Sequence, residues 1–431
     1  MKNKYLSYLL LVFIAGLWSC SEDNDVFEQT ADQRINETVA TYQQELVAAQ
    51  YGWKAIIYPA GGGVYSFYFK FNDQNRVVMY SDFASESAVT SKESSYRLKA
   101  MQTPSLIFDT YSYLHVLADP DGSVNGGSNG DGLRSDYEFS FNNDSLNTEN
   151  ITLTGTKNQS KLILIKATQE EAAAYGNGGL AKSLLFSNIS KYLTYFKRVT
   201  IGGVVYEIAV NQSARTVTLN WLVGTTVNSF TTDYYYSSTG VSFITPFVNG
   251  SQTITGFTDL TWDESRLSLG MTAAGNKVTV VEAAKPLKVD IAAARRWWTF
   301  AAEKGSYWVS LTGFTSEGKE DFFGVTSIPN FYYLLFFPAI ASSSGTTYDA
   351  FAAYDGNDLM GPAVVPSFKT DGRVTFSVLG QYGTNELMNT KVQAQVEEVN
   401  GYYLIQTSEI TYDMVSAKDG RTWITWLYPW E

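Results

Sequence analysis

Cysteine and histidine are almost missing from this sequence of 431 residues, which holds one of each, Cys20 and His115. A single cysteine excludes an internal disulfide, so stability has to come from burial. One histidine excludes multi-histidine zinc sites, and any Ser-His-Asp arrangement would have to use His115. Charge is also scarce: Asp, Glu, Lys and Arg make up 17%, and the 31 basic residues against 43 acidic ones give a net charge of −12. Nucleic acid and anionic lipid surfaces recruit clustered cations, so this balance argues against both as partners. Long apolar runs are absent beyond the N-terminus.

That N-terminal run is the most specific signature. Lys2 and Lys4 precede an apolar stretch from Tyr5 to Trp18, and Leu17-Trp18-Ser19-Cys20 closes it before the acidic Ser21-Glu22-Asp23-Asn24-Asp25. A spanning helix needs about 20 apolar residues, and a plain secretory signal favours small residues where Trp18 stands. The pattern instead predicts a lipoprotein signal over 1–19, with Cys20 lipidated and an acidic tether over 20–27. Acylation anchors the chain while the polypeptide stays in water, at about 0.8 kcal/mol per buried methylene.

What is abundant is aromatic. Tyr, Phe and Trp reach 15% within a hydrophobic total of 45%, enough to build a core and to exclude wholesale disorder. Thr30-Ala-Asp-Gln33 matches a capping box, and Ile35, Val39, Tyr42, Leu46 and Ala49 follow as one apolar stripe, with Gly52 in the place of a C-terminal cap. From Trp53 the period changes from 3.6 to 2, and short β-branched and aromatic runs alternate with turn formers. Three hairpin signals recur: Phe71 to Arg76-Val77, Phe368 to Arg373-Val374, and Lys418-Asp-Gly-Arg421. Helical pieces are expected over Thr168 to Phe196, broken by Gly176, Gly178 and Gly179, and over Ile291 to Glu303; a strand is expected over Val392 to Val399. The fold class is mainly β: antiparallel meander sheets, as sandwich or open barrel, in two or three domains, with an amphipathic N-terminal helix and short connecting helices. The boundaries drawn are 28–196 for helix plus first β domain, 197–288 for a second, and 289–431 for an aromatic-rich third.

The first half is also familiar. Gly52-Trp53, Tyr65 to Phe71, Arg76-Val77, Ser95-Tyr96-Arg97-Leu98, Pro104 to Tyr111, Asp119-Pro120, Ser135-Asp-Tyr-Glu-Phe139 and Leu153-Thr-Gly-Thr-Lys157 resemble the Bacteroides-type lipoproteins grouped as domain of unknown function 4302, best over about residues 30–285. The resemblance implies an outer-membrane or cell-surface lipoprotein, encoded beside SusC-like transporters and SusD-like binding lipoproteins that import glycans or peptides. It carries no catalytic residue.

Candidate chemistry is sparse. His115 falls in an expected strand from Tyr113 to Leu117, which gives it a packed or half-buried place. Asp136 and Glu138 would share a strand face about 7 Å apart, the spacing a glycoside hydrolase needs for its two carboxylates, or else a polar outer face. The loop from Asp119 to Asp131 lacks the glycine and glutamate of an EF-hand and reads as an exposed connection. Trp297, Trp298, Trp308, Tyr333, Trp423, Trp426 and Trp430 concentrate in the last third, where aromatic rings serve either as core or as platforms for sugar faces. No cofactor is called for. The expected function is a non-catalytic binding or accessory component of a glycan or peptide uptake system; a surface glycan hydrolase and a structural or adhesive subunit are the alternatives.

Overall fold

The computed structural model describes residues 30–101, 103–142, 149–343 and 345–429. Cys20, its acidic flank and Trp430 lie outside them. Among the described residues the chain is mainly antiparallel β with short helices, and no helix is long and apolar enough to cross a membrane.

Helix α1 (Ala31–Ala48) starts at the expected capping box: the Gln33 N–H donates to Thr30 Oγ1 at 3.2 Å, and Gln33 Oε1 accepts from the Thr30 N–H at 3.0 Å. Its stripe turns inward, with Tyr42, Leu46 and Ala49 buried. The helix ends at Ala48, so Gly52 is not its cap. Gly52 instead turns the chain into the first strand at φ +73°, where a Cβ would stand 2.6 Å from the Phe69 carbonyl oxygen.

Eight strands, β1 (Trp53–Tyr58) through β8 (Lys161–Lys166), run up and down, and β8 returns to β1 to close a barrel. Period-2 alternation sends Trp53, Phe67, Phe69, Phe108, Phe139, Leu153 and Leu164 inside. An eight-stranded barrel is just wide enough for side chains to fill, and α1 completes this filling. The Tyr42 ring stacks on Phe141 at 3.7 Å, and the Trp53 indole donates to the Leu46 carbonyl at 2.9 Å.

The plan repeats twice. Helices α2 (Gln169–Gly176) and α3 (Gly179–Ser183) and a 3₁₀ segment over Leu184–Lys191 precede β9 (Phe196–Ile201). The sheet then runs to β16 (Asn276–Thr279) and β17 (Val281–Ala283), which are separated only by Val280. Because β16 pairs with its predecessor and β17 pairs with β9, the single stretch 276–283 closes the second sheet. Residues 168–192, placed with the first unit on sequence grounds, deliver Tyr175, Leu180, Phe186, Ile189 and Tyr192 to the second core. In the last third, α4 (Ala293–Glu303) precedes β18 (Trp308–Ser310), which pairs on both sides and so joins the ends of a third ring finishing at β26 (Thr422–Leu427). The Trp308 indole donates to the Trp297 carbonyl at 3.1 Å, the same device as Trp53 on Leu46.

The strand expected over Val392 to Val399 is not formed. Met388, Val392 and Val396 recur every fourth residue, and the segment 388–396 is helical with all three buried in the third core. It sits at a thin seam of the third ring, where the strands on either side share one pair, Val374 with Tyr402.

The joint between the first two barrels holds a buried ion pair. Asp82, fully buried, faces Arg215 Nη1 at 2.5 Å; Arg215 also donates to the carbonyls of Val64 (3.0 Å) and Asp82 (3.1 Å), and its guanidinium lies 3.9 Å from the Tyr65 ring centroid. The Tyr236 N–H adds a donor to the carboxylate at 3.2 Å. Burial pushes the Asp82 carboxyl up, and Arg215 pulls against that rise. Arg215→Met strands a buried carboxylate and is expected to cost about 3–5 kcal/mol in urea unfolding. Asp82→Asn combined with Arg215→Met is expected to recover a large part of that loss; no recovery would show that the charge pair is not the source of the cost.

Candidate functional site

The structure takes most of the sequence candidates out of play. Trp297, Trp308 and Trp426 are fully buried in the third core, where Trp297 stacks on Phe336 at 4.3 Å, so none of them offers a face to a ligand. Trp423 is half-buried at the joint between second and third barrels, edge-on to Tyr195 at 5.7 Å. Trp298 is tied down by its indole N–H, which donates to Asp349 at 2.8 Å.

Asp136 and Glu138 differ in setting, the first buried and the second half-buried. Asp136 is 3% exposed and precedes the strand Glu138–Phe141; its carboxylate accepts from the N–H groups of Lys157 and Asn158 (2.9 Å each), from the Ser160 N–H (3.1 Å) and from the Ser160 hydroxyl (2.5 Å). Every acceptor position is thereby committed to holding the 156–160 turn. A Cβ on Gly155 would lie 2.0 Å from Asp136 Oδ2, which explains the glycine there. Two of the stretches that carry the family resemblance, Ser135 to Phe139 and Leu153 to Lys157, therefore meet in one structural contact.

His115 lies in a short helix, Tyr113–Val116, where a strand was expected, because Ser112 starts a turn there. Its Nδ1 accepts from the Ser112 N–H at 3.2 Å, and Nε2 donates to the Phe108 carbonyl at 3.1 Å. Both nitrogens of a neutral ring are used. Burial lowers its pKa, and the ring is sandwiched between Tyr111 (5.6 Å) and Tyr137 (5.1 Å). In the Asp119–Asp131 loop a helical turn, Gly122–Asn125, is capped by Asp121, and Asn125 Nδ2 donates to the carbonyls of Val116 (2.9 Å) and Asp119 (2.8 Å). Its oxygens are used locally.

One predicted residue does lie in a half-buried aromatic cluster at the surface. Tyr333 opens the strand Tyr333–Ala341 and pairs with Tyr354 at the end of Thr347–Tyr354. Since Leu334 and Ala353 point into the barrel, Tyr333 and Tyr354 point out. Tyr307, just before the inward Trp308, joins them. The ring centroids of Tyr307 and Tyr333 are 6.0 Å apart at 28°, and those of Tyr333 and Tyr354 are 5.4 Å apart at 33°. The Tyr307 and Tyr333 hydroxyls are 3.1 Å apart; burial first, then this bond, raises the Tyr333 phenol. Tyr332 stands beside them at 69% exposure, and the fully buried Ala350 and Ala352 share the same face. The result is a shallow aromatic patch with phenolic hydroxyls, suited to stacking and hydrogen bonding but without an acid–base pair.

Sequence reasoning named Tyr333 and its neighbours but missed Tyr354. The signal was available only as register, since 333 and 354 meet across a hairpin. Elsewhere, an open depression of about 640 Å³ lies over turns of the second barrel, lined by Gly202, Asn249, Ser251 and Gln252 among others. Its amides are engaged with Tyr206: Asn249 Nδ2 donates to Tyr206 Oη at 2.9 Å, and Tyr206 Oη donates to Gln252 at 3.0 Å.

The described chain is thus a closed eight-stranded antiparallel barrel followed by two nine-stranded antiparallel sheets whose ends come back together. It belongs to the family described as domain of unknown function DUF4302, whose model matches residues 23–264 and leaves the last strands of the second barrel and the whole third barrel beyond it. The comparison with curated proteins finds no match. Among solved structures, the DNA polymerase III β chain of Streptococcus pneumoniae is similar at 9% identity, over 91% of this chain and 98% of that one, with a TM-score of 0.14. The β subunit from Streptococcus pyogenes matches at 9% identity, over 91% and 98%, with a TM-score of 0.15. Scores this low carry no argument about fold or function.

Burial raises the Asp349 carboxyl to about 6, against the donors Ala339 N–H and Trp298 Nε1–H. The folded protein therefore holds this proton more tightly than the unfolded chain. Its stabilising contribution is fully present below the ordinary value of 3.8 and is lost as pH rises through about 6. Asp349→Asn is expected to remove that dependence: wild-type minus variant unfolding free energy should fall by about 3 kcal/mol from pH 3.5 to 7. A flat difference across that range would refute the assignment.

Proposed function

We propose that this protein is a lipid-anchored component of the outer cell surface that binds extracellular ligand without transforming it, as an accessory to glycan or peptide uptake beside SusC-like and SusD-like proteins. The observation that carries the reading is the tyrosine patch on the third barrel, Tyr307, Tyr332, Tyr333 and Tyr354. Supporting it, Asp136, one of the two carboxylates the hydrolase alternative would use, is committed to holding the 156–160 turn. The adhesive alternative by strand donation finds no vacant groove among the described residues, because the sheets close and the thin seam of the third is covered by 388–396. Anchoring through Cys20 rests on the sequence pattern and the acidic run that follows it.

Two measurements check this. Cys20→Ala is expected to abolish palmitate labelling and to release the protein from the membrane fraction; retention with label would refute the anchor. On glycan and peptide arrays the protein is expected to retain ligand, and Tyr332→Ala to weaken the hits roughly fivefold, for about 1 kcal/mol per stacked ring, with the melting temperature unchanged. Empty arrays, or hits indifferent to Tyr332→Ala, would count against the patch.

A further inference from the structure

A second, more enclosed space lies between the first two barrels and α2, a crevice of about 130 Å³. That is roughly the room of four water molecules. Its walls are rich in hydroxyls, with Tyr175 from α2 and Tyr235, Ser237 and Ser242 from the second barrel. Lys54 and Glu171 also line it and are paired with each other at 2.5 Å.

Tyr175 is the informative residue. It is 2% exposed, and its ring is fixed by stacking on Tyr68 at 5.0 Å. Among the described residues no hydrogen bond involves its hydroxyl. With no protein partner, the Tyr175 hydroxyl is left for what occupies the crevice, water or a ligand oxygen. Burial first, then Tyr235, Asp82 and Glu171, raises this phenol, which keeps it a neutral donor. Tyr235 is likewise raised by burial, with Ser242 opposing.

The charges in the wall are already matched. A charged ligand would have to break the Lys54–Glu171 pair; a neutral one leaves it intact. Ile56 and Ile165 add a small apolar wall for C–H groups. We propose that this crevice is a binding site for a small neutral polyol group of glycerol or erythritol size, either free or as the hydroxymethyl arm of a sugar. The site is separate from the tyrosine patch and stands whether or not that reading holds.

The test is calorimetric titration of the full chain with glycerol, erythritol and methyl glucoside. At least one probe is expected to bind saturably, with affinity lowered tenfold or more in Tyr175→Phe. Ser242→Val, at a half-buried wall position, is expected to weaken binding in the same direction and serves if Tyr175→Phe does not fold. Binding of glycerol or erythritol alone identifies a free polyol, and binding of methyl glucoside alone identifies a sugar arm. A crystal structure with the bound probe is expected to place an oxygen within hydrogen-bond distance of Tyr175 Oη. No saturable binding of any probe, unchanged affinity in both variants, or water alone at Tyr175 Oη overturns the proposal.

Discussion

Closing a sheet of about eight strands leaves an interior that side chains fill, and nearly everything else about this protein depends on that constraint. Each ring takes its filling from its own strands and from helical residues that precede it: Tyr42 and Leu46 in the first, Phe186 and Ile189 in the second, Trp297 and Ala301 in the third. With the centres packed, exposed chemistry is left to outer faces and to the joints between barrels. Without disulfides the chain depends on burial, and large aromatics at 150–250 Å² each supply much of it.

The two joints are built differently. Between the first and second barrels, the Asp82–Arg215 pair is flanked by the rings of Tyr65 and Tyr236, at 3.9 and 5.3 Å from the guanidinium. Between the second and third, the contacts are mostly polar. Tyr195 donates to Asp413 at 2.6 Å and to the Gly420 carbonyl at 2.7 Å, and Arg421 meets Glu282 at 3.2 Å. Lys197, near this joint, is pulled down to about 8 by burial, against the carboxylates of Glu282 and Glu207. The first joint centres on one buried ion pair beside a small crevice, and the second on a set of polar bonds.

Much of the fold was legible because it is local. The capping box at Thr30, the stripe through Leu46 and the three hairpin turns depend on residues close in sequence, and they stand where periodicity put them. The segment 388–396 misled because the alternation of Val392, Ala394 and Val396 with glutamines reads as strand until Met388 is counted into a helical repeat. The site was far less legible. Whether a tryptophan is core or surface depends on which face of a closed ring it occupies, and Trp308 inside differs from Tyr307 outside by one residue. Asp136 looked like an acid with a neighbour; its four donors come from a turn more than twenty residues later.

Arg215 is supplied by the second barrel, yet the partner it neutralises belongs to the first. Asp82 precedes Arg215 by more than a hundred residues, so a first barrel without the second would hold that carboxylate without its cationic partner. Solvated, that charge is harmless; covered by any surface other than the correct hairpin, it is severely penalised. The pair therefore penalises any packing of the two barrels that buries Asp82 without Arg215.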